Sequence, residues 1–135
     1  MVEFHVFYKK GALPPVPELN RAMSSRGFAI ELQGDAPPHE RGEDLGLTVD
    51  GKPVAVSVSL TDAQAPEWAA LRAAAADAVD GAARLSVLKN CDVRLTLKAD
   101  GDDARWARDV ARNVGLLACG AYENLSASRF INFGR

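Results

Sequence analysis

The sequence predicts a single α+β domain, with about three helices packed on one face of a largely antiparallel or mixed sheet. Segments with the two-residue period of strands alternate with segments of helical period from Phe4 to Phe133. A length of 135 residues suits one domain with its own core. Adjacent strand-like segments joined by a turn favour antiparallel pairing. The predicted order is β-α-β-β-β-α-β-α-β, with one further terminal strand as an open alternative.

The start of the chain predicts a strand, a helix and a second strand. Apolar residues alternate over residues 4–8, which indicates the first strand. Three prolines then favour a helix start, because proline is tolerated in a first turn. This helix is predicted to cover residues 16–26 and to end at Gly27, where glycine readily leaves the helical conformation. Residues 28–32 form the second predicted strand.

The next two predicted strands form a hairpin. Residues 45–49 and 54–60 both have strand character, and the second of these segments alternates without a break. Between them lies Asp50-Gly51, a pair that accepts the positive φ angles of a tight hairpin turn. The sequence therefore predicts that the third and fourth strands pair with each other.

An alanine-rich helix begins at Pro66 and carries Trp68 on its apolar side. It either breaks at Gly81 or continues to about Lys89, since glycine weakens a helix without always ending it. Trp68 and Trp106, which lies in the third predicted helix, are both expected at the helix–sheet interface.

The last third of the chain predicts a fifth strand, a third helix and one or two closing strands. Residues 93–98 alternate apolar and polar side chains. Residues 103–119 have apolar residues every three or four positions, and Gly120 ends this helix. Residues 121–124 and 129–133 have strand character and would complete the sheet.

The composition is that of an ordinary soluble globule, with 47% hydrophobic and 25% charged residues. The formal net charge of -2 disfavours nucleic acid as a partner, because binding along phosphates requires positive charge. No apolar run approaches the roughly 18 residues of a membrane span, and no membrane partner is expected. The beginning of the chain lacks the pattern of a secretory signal, so a cytoplasmic location is expected.

The sequence contains no recognisable catalytic grouping. His5 and His39 are its two histidines, and neither has a second histidine three or four residues away, so zinc spacing is missing. Cys91 and Cys119 are distant and are predicted to be packed thiols. The expectation is therefore no catalytic residue, no metal and no cofactor. A pocket joining either histidine to a carboxylate would instead favour an enzyme or a small-ligand-binding protein.

Two surfaces are predicted to bind a protein partner. Residues 34–44 form the clearest loop, and long ordered loops often carry function. Polar residues of the fourth and fifth strands would lie on a sheet face that no helix covers. The predicted partner-binding residues are Asp35, His39, Glu40, Glu43 and Asp44 in the loop, and Ser57, Ser59, Arg94, Thr96 and Lys98 on the open face.

The chain resembles the small, single-domain α/β immunity proteins that accompany bacterial toxins. The resemblance lies in its size, mild acidity and lack of catalytic groups, and in the proline-led helix of residues 17–23, PELNRAM, after a first strand. It implies a cytoplasmic protein that binds and neutralises a cognate toxin domain. The acidic loop would complement the charge of a basic toxin. A self-associating module, including a homodimer, is the first alternative, and a small-ligand protein or enzyme is the second.

Overall fold

The computed structural model of the protein describes residues 1–134 and shows an α+β fold with two antiparallel sheets. The strands are β1 (Val2–Tyr8), β2 (Ile30–Leu32), β3 (Leu47–Val49), β4 (Lys52–Pro53), β5 (Ser57–Asp62), β6 (Val93–Ala99), β7 (Ala121–Asn124) and β8 (Arg129–Asn132). The helices are α1 (Val16–Ser25), α2 (Pro38–Arg41), α3 (Pro66–Ala76), α4 (Gly81–Asn90) and α5 (Asp103–Leu117). No helix in residues 1–134 combines the length and apolar character that crossing a bilayer requires.

The main sheet has the order β5-β6-β1-β7-β8, with β1 at its centre. All four pairings are antiparallel. Because successive side chains of a strand point to opposite faces, β1 divides its residues between two layers. Phe4, Val6 and Tyr8 define the first face of the sheet, and Glu3, His5 and Phe7 are on the opposite, second face.

The main core lies on the first face, against α1 and α5. The apolar residues of α5 recur every three or four positions, so one side of the helix can be buried. Val110 and Val114 are fully buried there against the sheet residues Leu95 and Leu97. The third predicted helix is α5, and it covers the first face as expected. The second predicted helix, the alanine-rich segment, does not lie on this face.

A second helical layer, formed by α3 and α4, packs on the second face. The prediction that all helices lie on one face of a single sheet is therefore wrong. Phe7 explains the difference, because a large apolar residue on the second face needs a cover. Trp68 of α3 provides it, with the two rings edge-on and their centroids 6.2 Å apart. Val87, Leu88 and Ala121 complete this smaller core.

The alanine-rich segment is two helices joined by a short turn. α3 ends at Ala76 and α4 begins at Gly81, so of the two predicted outcomes the helix breaks. A Cβ atom at Gly81 would overlap the carbonyl oxygen of Ala75. The absence of a side chain therefore lets the start of α4 lie directly against the end of α3.

The Asp50-Gly51 turn is confirmed, but the predicted pairing of residues 45–49 with residues 54–60 is wrong. Asp50 and Gly51 have φ angles of 52° and 78°, as the tight turn requires. Lys52 and Pro53 pair back with β3, and the chain then leaves the small β2-β3-β4 sheet. β5 starts at Ser57 and pairs with β6 in the main sheet. The alternation over residues 54–60 thus predicted the strand character of residues 57–60, but it did not specify the partner strand.

Residues 34–44 are ordered rather than a simple loop. They contain α2 and a 3-10 turn, Gly42–Asp44, that contacts β5. Pro38 is buried, and Leu45 belongs to the main core. The hydroxyl of Tyr8, whose side chain lies on the first face, is hydrogen-bonded to Nδ1 of His39 at 3.2 Å. The segment is thus attached to the first-face side of the molecule.

Replacing Trp68 with alanine should lower the free energy of unfolding by about 4 kcal/mol, because its buried ring fills the second core. Trp106→Ala should cost less, roughly 1–2 kcal/mol, because Trp106 is half-buried with the guanidinium of Arg105 4.2 Å from its ring centroid. Urea unfolding of both variants measures the difference. Equal losses would contradict the two-layer packing.

Candidate functional site

A cavity of about 380 Å³ lies between the second face of the main sheet and the α3–α4 layer. We call it the α3–α4 pocket. Its size falls within the range of small-molecule sites, which are mostly apolar with a few placed polar groups. The apolar lining comes from Phe7, Leu71, Ala74, Ala75, Ala78, Val87, Leu88, Leu125 and Phe130, and the polar lining from His5, Asp80, Arg84 and Glu123.

The floor of the pocket is a histidine held between two carboxylates. Strand pairing places His5 of β1 directly beside Glu123 of β7, and both are only 7% exposed. Nδ1 of His5 lies 3.2 Å from Oε1 of Glu123, and Nε2 lies 2.6 Å from Oε2 of Glu3. A carboxylate can only accept, so satisfying both contacts requires a proton on each ring nitrogen. Both ring nitrogens of His5 are therefore engaged by carboxylates.

Glu123 also connects the sheet to the helical layer. Its Oε2 atom lies 2.6 Å from Nη2 of Arg84 in α4. Nε of Arg84 lies 2.7 Å from Oδ1 of Asp80, and the guanidinium lies 4.5 Å from the ring centroid of Phe130. A cation beside an aromatic face and two carboxylates is held in one orientation. Arg84 therefore fixes α4 to the sheet.

Six side chains form a continuous series, which we call the charge chain. At its far end, Nζ of Lys98 lies 3.4 Å from Oε1 of Glu3. Neighbouring members have opposite charges when His5 is an imidazolium. In order, the chain is Lys98, Glu3, His5, Glu123, Arg84 and Asp80.

The charge chain keeps the carboxylates of Glu3 and Glu123 ionised at neutral pH. Burial by itself would raise the pKa of Glu123, but its hydrogen bonds with His5 and Arg84 outweigh burial and lower the pKa below the ordinary 4.5. Burial likewise opposes ionisation of Glu3, and contacts with His5 and Lys98 lower its pKa. Burial also disfavours the charged form of Arg84, yet Glu123 and Asp80 raise its pKa.

The ring of His5 is fully engaged by neighbouring carboxylates. A general base needs a free ring nitrogen near its substrate, whereas both nitrogens of His5 are occupied. The pocket lining within residues 1–134 contains no serine, cysteine, lysine or tyrosine that could act as a nucleophile. No group of three or more histidine, cysteine or acidic side chains in that part of the chain is arranged to hold a metal ion.

The predicted strand residues do share the second face. Ser57 pairs with Lys98, and Ser59 with Thr96. This face is not open over its whole length, however, because α3 and α4 cover one end. Thr96 is 5% exposed and cannot reach a partner as predicted. Arg94 is half-buried and donates from Nη2 to Thr61 at 3.1 Å, which leaves the serines and Lys98 as the exposed members.

The predicted acidic residues lie elsewhere. Asp35, Glu40, Glu43 and Asp44 are exposed on the segment attached to the first-face side. His39 is half-buried against Tyr8 rather than free in solvent, and its burial lowers its pKa below 6.5. The two groups of predicted partner-binding residues therefore lie on different elements, although the Gly42–Asp44 turn contacts β5.

Most members of the charge chain have no signal in the sequence. Glu123 and Arg84 occur in segments that read as an ordinary strand and helix. Only the order of the strands, with β7 next to β1, brings Glu123 to His5. One usable signal existed: Glu3, His5 and Phe7 share a face by period two, so polar groups and a large apolar ring had to meet there.

The two cysteines differ from the prediction that both are packed. Cys119 is exposed, with a φ angle of 54°, whereas Cys91 is half-buried. Burial raises the pKa of the Cys91 thiol to about 11, so this group is a poor nucleophile at neutral pH. Both are free thiols, and they flank β1 on opposite sides, near the ends of β6 and β7.

Comparison with known proteins gives no relative. No protein-family model matches the chain, and no curated protein or solved structure matches it. The resemblance to immunity proteins consequently stays a prediction. Functional argument has to start from the pocket and the exposed surfaces themselves.

Glu123→Gln should destabilise the fold by roughly 3 kcal/mol at pH 7, because it leaves Arg84 and His5 without their shared counterion. A carboxyl with a lowered folded-state pKa stabilises fully above its unfolded-state pKa near 4.5. That stabilisation disappears as the pH falls through the folded-state pKa. The difference between wild type and variant should therefore shrink toward pH 3, as measured by urea unfolding.

Asp80→Asn is the matched control, because it removes the other carboxylate of Arg84. The side chain of Asp80 is 44% exposed, whereas the side chain of Glu123 is 10% exposed, so the loss should stay below about 1 kcal/mol. Equal losses in the two variants would show that the buried bond to Glu123 does not hold α4 on the sheet.

Proposed function

We propose that the protein binds a small molecule, without a covalent step, in the α3–α4 pocket. The observation that carries the proposal is an apolar cavity of about 380 Å³ with a buried, fully paired set of charges at its floor. An apolar cavity with a few convergent polar groups is the usual form of a ligand site. In this pocket His5 contacts carboxylates. This combination favours a protein that binds a small ligand over a protein without a cavity.

The charge chain supports this role because it holds the pocket in one shape. Buried charges are expensive, and a well-packed apolar contact would often stabilise a fold as much. Here the pairs fix His5 at the floor and Arg84 at the wall, in positions set by several contacts each. A site that is already formed requires little ordering when a ligand enters, which favours binding.

Noncovalent binding fits these residues better than a reaction. His5 would have to give up one of two carboxylate contacts before it could take a proton from a substrate. The same contacts orient it well as part of a rigid floor. The proposal is accordingly a binding protein, in which the pocket supplies affinity and the paired charges supply its shape.

Filling the pocket should abolish binding. Ala74 lines the cavity and is exposed at its mouth, so Ala74→Phe places a ring in the space that a ligand needs. With the uncharged fluorophore 1-aminoanthracene as probe, affinity should fall at least about tenfold, which corresponds to about 1.4 kcal/mol. Fluorescence titration measures the change.

Ala73→Phe is the control, since Ala73 is the exposed neighbour of Ala74 on α3 and does not line the cavity. It should bind the probe as the wild type does. Absence of binding to the wild-type protein, or equal loss in both variants, would contradict the proposed site.

An immunity protein is the second candidate, and the acidic segment favours it. Four exposed carboxylates lie on a segment that α2 and the buried Leu45 hold in place, so a basic toxin domain would meet a preformed surface. Charge reversal to lysine at Asp35, Glu40, Glu43 and Asp44 should abolish protection of cells that express a toxic neighbouring gene product. If no neighbouring gene encodes a toxic product, the immunity function is excluded. A cytoplasmic location and a homodimer stay predictions.

A further inference from the structure

We infer that the ligand of the α3–α4 pocket is an uncharged molecule with an apolar body and one hydrogen-bonding oxygen. The inference rests on the proposed function, and it adds the chemical class of the ligand. It follows from the way in which the protein uses its own charges around the cavity.

The charges at the pocket already balance one another. Three cations and three anions alternate along the charge chain when His5 is an imidazolium, so its net charge is zero. Each of the four charged lining residues has an opposite charge within 3.2 Å, and Arg84 has two such partners. The pocket therefore has no surplus charge with which to attract an ion.

For a charged ligand, the free-energy cost of losing water in this site would not be offset by an unpaired opposite charge. Burying an ion without a partner is strongly unfavourable, and the other walls are alkyl groups and rings. An anion that accepted from Arg84 would compete with Glu123 and Asp80 for one guanidinium and would add a third negative charge beside them. A cation would compete with Arg84 for Glu123 or Asp80 in the same way. An uncharged molecule avoids both costs.

Arg84 also supplies a polar contact for such a molecule. Its Nε and Nη2 atoms are taken by Asp80 and Glu123. Its Nη1 atom makes no hydrogen bond within the described residues 1–134. That nitrogen can donate to a hydroxyl or carbonyl oxygen without disturbing either ion pair. The apolar remainder of the ligand would then lie along Phe7, Leu71 and Val87.

The protein contains its own reporter of the pocket. Trp68 packs against Phe7, and Phe7 lines the cavity. The chain has two tryptophans, so Trp106→Phe leaves Trp68 as the source of the emission. Filling of the pocket should change the Trp68 emission, and three ligands without absorbing groups can be compared in this way.

The test uses 1-octanol, octanoate and octylammonium at pH 7, which share one alkyl body and differ in charge. Titration of the Trp106→Phe variant, checked by calorimetry on the wild type, should show 1-octanol binding at least about tenfold more tightly than either ion. Asp80→Asn leaves one positive charge unbalanced at Arg84. In that variant the affinity for octanoate relative to 1-octanol should rise.

The outcomes separate the two levels of the proposal. Tighter or equal binding of either ion by the wild type would overturn the inference and leave the pocket as a binding site. An unchanged octanoate preference in Asp80→Asn would also overturn it, because charge balance would then not govern selection. Binding of none of the three compounds, together with no binding of 1-aminoanthracene, would overturn the proposed function itself.

Discussion

Glu123 contacts His5 on one side and Arg84 on the other. The attachment of the α3–α4 layer to the second face of the main sheet depends on these two contacts. The first contact joins two neighbouring strands, and the second joins the sheet to α4. Together they fix the floor and one wall of the α3–α4 pocket. A buried carboxylate held by an imidazole ring and a guanidinium tolerates little displacement, because each lost contact leaves it less well compensated. The pocket therefore has a defined shape without a large apolar core around it.

The two layers of the protein are stabilised in different ways. On the first face, α5 and α1 bury a large apolar cluster against β1 and β6, so the hydrophobic effect dominates there. On the second face, the helices are rich in alanine, and few large residues are buried, with Trp68, Val87 and Leu88 the main ones. Alanine lets α3 and α4 lie close together but contributes little buried area. The ion pairs to Arg84 supply what packing does not.

The sequence predicted local structure well and the arrangement of the elements less well. The strand at 4–8, the helix over 103–119 and the Asp50-Gly51 turn are found nearly where they were predicted, since each depends on neighbours along the chain. The pairing of β1 with β7 depends on residues more than a hundred positions apart, and no local pattern specifies it. The large apolar Phe7 was a signal for a covered second face, yet that face was predicted to be open.

The candidate site shows the same division. His5 was noted as a strand residue, whereas Glu123 and Arg84 became part of a site only through the fold. The predicted contact residue Thr96 is buried in the sheet, and His39 is half-buried against Tyr8 of β1, a contact that no local pattern specifies. The acidic residues of segment 35–44 were predicted to lie on the surface, and they are exposed there. A local pattern cannot predict which polar groups contact one another inside the folded molecule.

The central claim is that a ligand enters between the second sheet face and the α3–α4 layer. Nuclear magnetic resonance of the ¹⁵N-labelled protein, titrated with 1-octanol, tests it most directly. The account predicts that the largest amide shift changes occur around His5, Phe7 and Glu123 and along α3 and α4, with residues 35–44 unaffected. Shift changes centred on residues 35–44 or on the exposed edge of β5, with none around His5 and Glu123, would contradict it.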